Sequence, residues 1–232
     1  MATLLLQCVA PLQSWGTQSE YIVRDTGREP SKSGIIGLLC AALGRDRAKP
    51  LDDLAQLRMG VRVDHEGKIL RDFHTITNKL KSKPSTTLST RYYLTDAMFL
   101  VGLEGEIGLL SELNQALKRP VWSLFLGRKS CPPSRPTHLP DGLKVDQDLK
   151  TALSEYPWLG QNKVKHEEDG KQLRMIIEDM KKGQSFVKDQ PVSFAKFGRK
   201  FHPRRTATTF IDCPRYEPEA SYPLMSFQEI AQ

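Results

Sequence analysis

The order of segment types over the first 120 residues is the strongest constraint on how this chain can fold. "TLLLQCVAPLQSW" reads as a strand that Pro11 stops. A polar stretch holding Gly27 and Pro30 leads into the apolar run Ile35 to Leu43, a helix with Gly44 placed as its C-cap. "LDDLAQL" carries Leu at i, i+3 and i+6, which suits a short helix. "RMGVRVDHEGKILRDFHTIT" alternates Val61 and Val63 with charges before an Glu66-Gly67 turn, and Ile69 opens a returning strand, so the spacing predicts a hairpin. "YYLTDAMFLVGLEG" is a further strand, and "EIGLLSELNQALKRP" spaces its apolar residues as a helix does, with Pro120 beyond its end. This is an α+β order. One solution is a small sheet with helices packed on one face, a ferredoxin-like plan in broad outline.

The character changes after "LFLGRKSCPPSRP". Prolines at 132, 133, 136 and 140 predict a boundary, giving a domain over residues 1–130 and a smaller, β-rich C-terminal domain over 131–232. "KQLRMIIED" and "QPVSFAKF" carry strand signals there, and the stretch from Pro214 reads as loosely attached. No apolar run approaches the roughly 20 residues that span a bilayer, and Met1 to Gly16 lacks a basic leader, so a cytoplasmic location away from membranes is expected. The cysteines at 8, 40, 131 and 213 never form a CxxC pair, and no His or Cys cluster has ligand spacing, so neither a metal nor another cofactor is expected.

The formal net charge is +7, and its placement matters more than its size. Residues 73–95 hold Lys79, Lys81, Lys83 and Arg91 without an acid. "FAKFGRKFHPRR" holds five Lys/Arg, again without an acid, among three phenylalanines. Solvated charge runs usually mix signs, so these stretches favour a polyanionic partner. The phenylalanines fit either base stacking or the inward face of an amphipathic strand, and the alternation favours the strand.

"PSKSGIIG" resembles a phosphate cradle. A nucleotide-hydrolysing P-loop needs Gly directly before the Lys, but Ser31 stands there, and Thr26 holds the place of the first Gly. What remains is a helix start where Lys32, Ser33 and Gly34 hold a phosphate, or a plain cap in which Ser33 closes the helix. Gly127, with Arg128, Lys129 and Ser130, offers a second loop of the same kind, or a surface turn. His74, across from Arg91, Tyr92 and Tyr93, would suit a metal-free ribonuclease, although a lone histidine in an aromatic strand more often packs or stacks.

Taken together, "PLQSWG", "RDTGREPSKSGIIGLL", "RDFHT", "YYLTDAMFLVGL" and "LFLGRKSCPP" closely resemble the CasD family, the Cas-five-type subunits of the type I-E CRISPR complex called Cascade. The likeness runs in order through about the first 135 residues. It implies an RNA-recognition-like, ferredoxin-type domain with a β-hairpin thumb near 75–92, followed by the small β domain. It also implies a non-catalytic subunit that caps the 5′ handle of the CRISPR RNA, sits against the Cascade backbone subunit, helps seat the large subunit and meets target DNA only indirectly. On that resemblance Lys32, Ser33 and Gly34 hold handle phosphates, and Gly127, Arg128, Lys129 and Ser130 form a second clamp. Gln13, Ser14 and Trp15 line the loop after the first strand. His74, Lys79, Thr90 and Arg91 belong to the RNA-facing thumb. The competing reading is a metal-independent endoribonuclease acting on CRISPR repeat RNA.

Overall fold

The computed structural model describes residues 1–17, 23–78, 85–160 and 172–216. Its central sheet has seven strands. Four of them form one end of it: β1 (Ala2–Val9), β4 (Arg58–His65), β7 (Met98–Gly105) and β8 (His138–Val145), the last at the edge. They lie in the order β4-β7-β1-β8 with every neighbour antiparallel. Helix α1 (Lys32–Leu43) connects β1 onward, and α3 (Ile107–Lys118) connects β7 to β8. The two helices pack on each other over one face of the sheet.

β1 is buried on both faces, which explains its nearly unbroken apolar run. Leu4, Leu6 and Cys8 join the core under α1 and α3, with Phe99, Val101 and Leu103 of β7 beside them. Leu5 and Val9 point to the opposite face, which α4 (Leu149–Glu155) covers with Leu149 and Leu153. Each such fully buried Leu stabilises the fold by roughly 1.5–3 kcal/mol. On this face β4 carries Arg62 and Asp64, both fully withdrawn from water and bonded to each other at 2.6 and 2.8 Å. Arg62 also donates to the carbonyls of Leu153 and Pro157, while Asp64 accepts from the Leu159 N–H. The Val-Arg-Val-Asp alternation therefore does not mark a half-solvated strand. Its charges face inward and staple the end of α4 to the sheet.

The expected hairpin across Glu66-Gly67 does not form. β4 stays in the central sheet, whereas β5 (Lys68–Asn78) pairs with β6 (Ser85–Thr95) in unbroken register from Lys68↔Thr95 to Asn78↔Ser85. "YYLTDAMFLVGLEG" is likewise two strands, because Asp96, at φ 57°, turns the chain from β6 into β7. Both crossings lie together: a Cβ on Gly67 would stand 2.6 Å from the Thr95 carbonyl and 2.8 Å from the Ala97 methyl. Two short strands, β2 (Leu12–Gln13) and β3 (Val23–Arg24), line the other edge of β6. The exposed faces of this hairpin include Phe73 and Leu88.

The chain after residue 131 builds no separate sheet among the described residues. β8 extends one side of the central sheet, and β9 (Gln172–Glu178), β11 (Lys200–Asp212) and β10 (Ser185–Ser193) extend the other. The proline cluster marks an irregular crossing over the sheet, with Gln7 donating to the Pro136 carbonyl. The short helix expected at "LDDLAQL" is α2 (Asp52–Ala55). No helix among the described residues is long and apolar enough to cross a membrane.

Candidate nucleic-acid interface

Three segments distant in sequence meet at one end of α1. Gln13, fully buried, donates through Nε2 to the carbonyls of Cys8 and Ala97 and accepts from the Trp15 indole at 3.0 Å. That bond holds the indole against α1, where a Cβ on Gly34 would lie 2.9 Å from the ring. Trp15 is 1% exposed, so both residues support the loop from beneath and present little surface to a ligand. Ser14 donates its N–H to the Leu126 carbonyl at 3.1 Å, and its own carbonyl lies 1.7 Å from where a Gly127 Cβ would stand. Gly127, at φ 92°, is therefore dictated by the contact between the two loops.

The start of α1 departs from the expected cradle. Ser31, and not Ser33, is the N-cap, accepting from the Gly34 N–H at 3.2 Å. The Lys32 N–H donates to the Asp189 carboxylate at 2.7 Å, so the protein's own anion occupies the positive end of the helix. Asp189 is in turn gripped by Arg204 at 2.6 and 2.9 Å. The Lys32 ammonium is buried and bonded to Glu178 at 2.9 and 3.2 Å. Burial holds it below the ordinary lysine value even though Glu178 pulls the other way. Lys32 is thus corrected from phosphate ligand to buried ion-pair partner, because β9, β10 and β11 carry carboxylates and a guanidinium to it.

What does open to solvent is a cleft of about 700 Å3 that runs along α1. Ser14, Ser33, Gly34, Gly127, Arg128 and Lys129 line it together. The loop of Gly127 thus meets the helix start, as two adjoining grips would. Its cations are Arg24, Arg45, Arg47, Arg128, Lys129 and Arg199, against the single carboxylate of Asp25. Arg45 is held by Asp53 through two 2.6 Å bonds. Arg47, Lys129 and Arg199 have no carboxylate partner among the described residues.

Arg128 is fixed without being neutralised. It donates to the carbonyls of Tyr92 (3.1 Å), Arg24 (2.9 Å) and Asp25 (3.1 Å), and its guanidinium lies 4.7 Å from the centre of the Tyr93 ring. The Tyr93 phenol feels opposing effects. Burial raises it, but bonds from Ser130, Arg128 and Arg91 prevail and hold it below its ordinary value. Ser130 meets that phenol at 3.5 Å and does not line the cleft.

The hairpin residues stand apart from the cleft. Thr90 and Arg91 lie on β6 opposite Val23 and Arg24 of β3, and the Arg91 Nε is buried without a partner. His74 bonds Asp72 on β5, and both side chains are partly exposed. Lys79 lies outside the described residues. Sequence reasoning missed Arg45, Arg47, Trp122 and Phe125, which line the cleft from loops without periodicity, while Arg199 comes from the basic stretch it had singled out for a polyanion. It also mistook "FAKFGRKFHPRR" for one strand. β10 ends at Ser193 and β11 begins at Lys200, so Phe197 sits in the turn, 87% exposed, while Phe194 and Phe201 turn partly inward. No three His, Cys, Asp or Glu side chains group as a metal site among the described residues.

Residues 3–207 match the family described as CRISPR-associated protein (Cas_Cas5). The CRISPR system Cascade subunit CasD of Escherichia coli (strain K12) is 35% identical over 176 residues, covering 68% of this chain and 78% of that protein. A crystal structure of a Cas protein superposes with a TM-score of 0.76 at 43% identity, over 94% of this chain and all of that one. A chain of a CRISPR RNA-guided surveillance complex superposes with a TM-score of 0.74 at 30% identity, over 91% of each.

Proposed function

Because the chain belongs to the CRISPR-associated Cas5 family, we propose that it is a non-catalytic subunit of a type I-E Cascade surveillance complex, binding and capping the 5′ handle of CRISPR RNA. The observation that carries this reading is the cleft along α1, which Arg128, Lys129, Arg47 and Arg199 line with a single acid among the lining residues. Cations without counter-charges attract a phosphate backbone. The helix start contributes through Ser33 and Gly34, and the second loop through Gly127, Arg128 and Lys129. Lys32 orders the helix start and touches no phosphate.

The order β1-α1-β4-β7-α3-β8, with β4-β7-β1-β8 across the sheet, supports reading this part as ferredoxin-like. The β5–β6 hairpin is then the thumb. Exposed Phe73 and Leu88 on it favour a protein neighbour, for which the backbone subunit is proposed; Thr90, midway along β6 and paired with Phe73, shares that face, and Arg91 on the other face, opposite Arg24 of β3, is proposed to meet the RNA. Seating of the large subunit, indirect contact with target DNA and a cytoplasmic location follow from the same reading. His74, paired with Asp72 away from the cleft, orders the hairpin and moves no substrate proton.

Incubating the purified protein with labelled repeat RNA in EDTA, scored for both cleavage and retention, tests this. Intact RNA held through its repeat-derived 5′ end is the expected result. A discrete cut that disappears in His74→Ala would replace it with the endoribonuclease reading.

A further inference from the structure

The far end of the cleft belongs to neither grip. α1 is 12 residues long, about 18 Å at 1.5 Å per residue. The cleft follows it from Ser33 past Gly37 and Ala41 to Arg45 and Arg47, where Trp122 and Ser123 form the wall. That is longer than one nucleotide needs.

Trp122 is held in place. Its N–H donates to the Ala41 carbonyl at 3.1 Å, and the Val121 N–H donates to the Ala42 carbonyl at 2.9 Å. These bonds close the last turn of α1 and tie the indole's backbone to the helix end. Gly44, at φ 65°, allows Val121 to pack there, since a Cβ would stand 2.7 Å from a Val121 methyl. The indole itself is 48% exposed, while Trp15 and Trp158 are 1% and 3% exposed. An aromatic side chain half open to solvent, on a rigid backbone, in a cleft that also holds cations lacking carboxylate partners, is the arrangement on which an unpaired base stacks. A duplex offers no such base face, and an apolar protein partner would not call for Arg47 and Arg199 beside it.

We infer that the cleft carries a single-stranded RNA segment along the length of α1, with a base stacked on Trp122 and phosphates against Arg47 and Arg199. The inference rests on the RNA-binding reading above but adds a second contact region beyond the two grips. The RNA would run from the Ser33 and Arg128 end toward the helix C-terminus.

Trp122 reports its own contact, because the other two indoles are buried. Titration of the full chain with a CRISPR RNA bearing its repeat-derived 5′ end, followed by tryptophan emission, should quench the exposed indole. Trp122→Phe should lose the quenching and keep affinity within about twofold, while Trp122→Ala should weaken binding about tenfold, as loss of one stacked base does. Arg47→Ala should lower the salt dependence of binding by about 0.7 in log–log slope. RNA retained with unchanged emission, and bound equally by Trp122→Ala, would overturn this inference and leave the proposed function standing. RNA not retained by the wild-type chain would defeat both. Quenching by polyglutamate but not by RNA would give the cleft to an acidic protein segment and likewise overturn it.

Discussion

The Lys32 ammonium and the Glu178 carboxylate, 146 residues apart in sequence, meet at 2.9 Å with 1% and 12% of their side chains exposed. Their contact locks the start of α1 onto β9, and Arg204 and Asp189 complete a four-member network around it. The helix start that frames the cleft is therefore held from the C-terminal strands.

Lys32→Ala should accordingly act on stability. Removing one partner of a buried ion pair costs roughly 3–5 kcal/mol where the other is left alone; Glu178 keeps the Met59 N–H and the nearby Arg204, so a smaller loss, still above about 1 kcal/mol, is expected on chemical denaturation. The salt dependence of RNA binding by the folded protein should not change. Lys129→Ala should do the reverse, keeping stability and lowering the log–log salt slope by about 0.7. A reduced slope with unaltered stability in Lys32→Ala would return that residue to the phosphates.

Arg128→Ala should raise the Tyr93 titration midpoint. Burial raises the phenol and the guanidinium helps hold it below its ordinary value, so removal of that group leaves burial opposed by Ser130 and Arg91 alone. Absorbance of the phenolate against pH measures this. Arg128→Lys should not restore the wild-type behaviour, because one ammonium cannot reach three carbonyls and stack on the ring as the planar fork does.

Gly127→Ala should cost more than about 1 kcal/mol, since Ala is strained at positive φ and its methyl would overlap the Ser14 carbonyl. The two loops would part. RNA affinity should fall with stability in this variant, whereas Arg199→Ala should lower affinity alone.

Asp148 caps α4 by accepting the Thr151 N–H at 2.9 Å, and that bond draws its carboxyl below the ordinary value. A depressed carboxylate stabilises the fold fully above its unfolded value and loses that contribution as pH falls through the folded one. Asp148→Ala should lower the melting temperature at neutral pH by about 2–4 °C for a loss of about 1 kcal/mol. The difference should shrink in acid. Asp148→Asn should keep the cap without that acid dependence.

Most local structure was legible from sequence. Pro11 ends β1, Gly44 caps α1 in the left-handed conformation, and α3 follows its apolar spacing. The errors share a cause, which is that charge in a sequence does not say what it faces. Arg62 and Asp64 look solvated until α4 covers them. Lys32 looks available until strands more than 140 residues later bring Glu178 and Asp189 to it. The pairing of β5 with β6 instead of β4 was equally hidden, because a Glu-Gly turn suits a hairpin and a crossing between sheets alike. The family likeness brought the two loops into one role, but the cleft between them, with Trp122 and Arg199, needed the fold.

The two legs of the β5–β6 hairpin leave the central sheet side by side, at Gly67 and Asp96, and eleven residues run outward on each, about 35 Å at the usual rise. Its inner part is anchored by the buried Tyr93 and Leu94, but beyond the buried Ser89 its length is uncoupled from the core. Adding or deleting two residues in both legs of that outer part keeps every side chain on its own face and disturbs no packed layer beneath. Reach toward a neighbour becomes an adjustable dimension, tunable in steps of a single pleat while the platform that carries it stays unchanged.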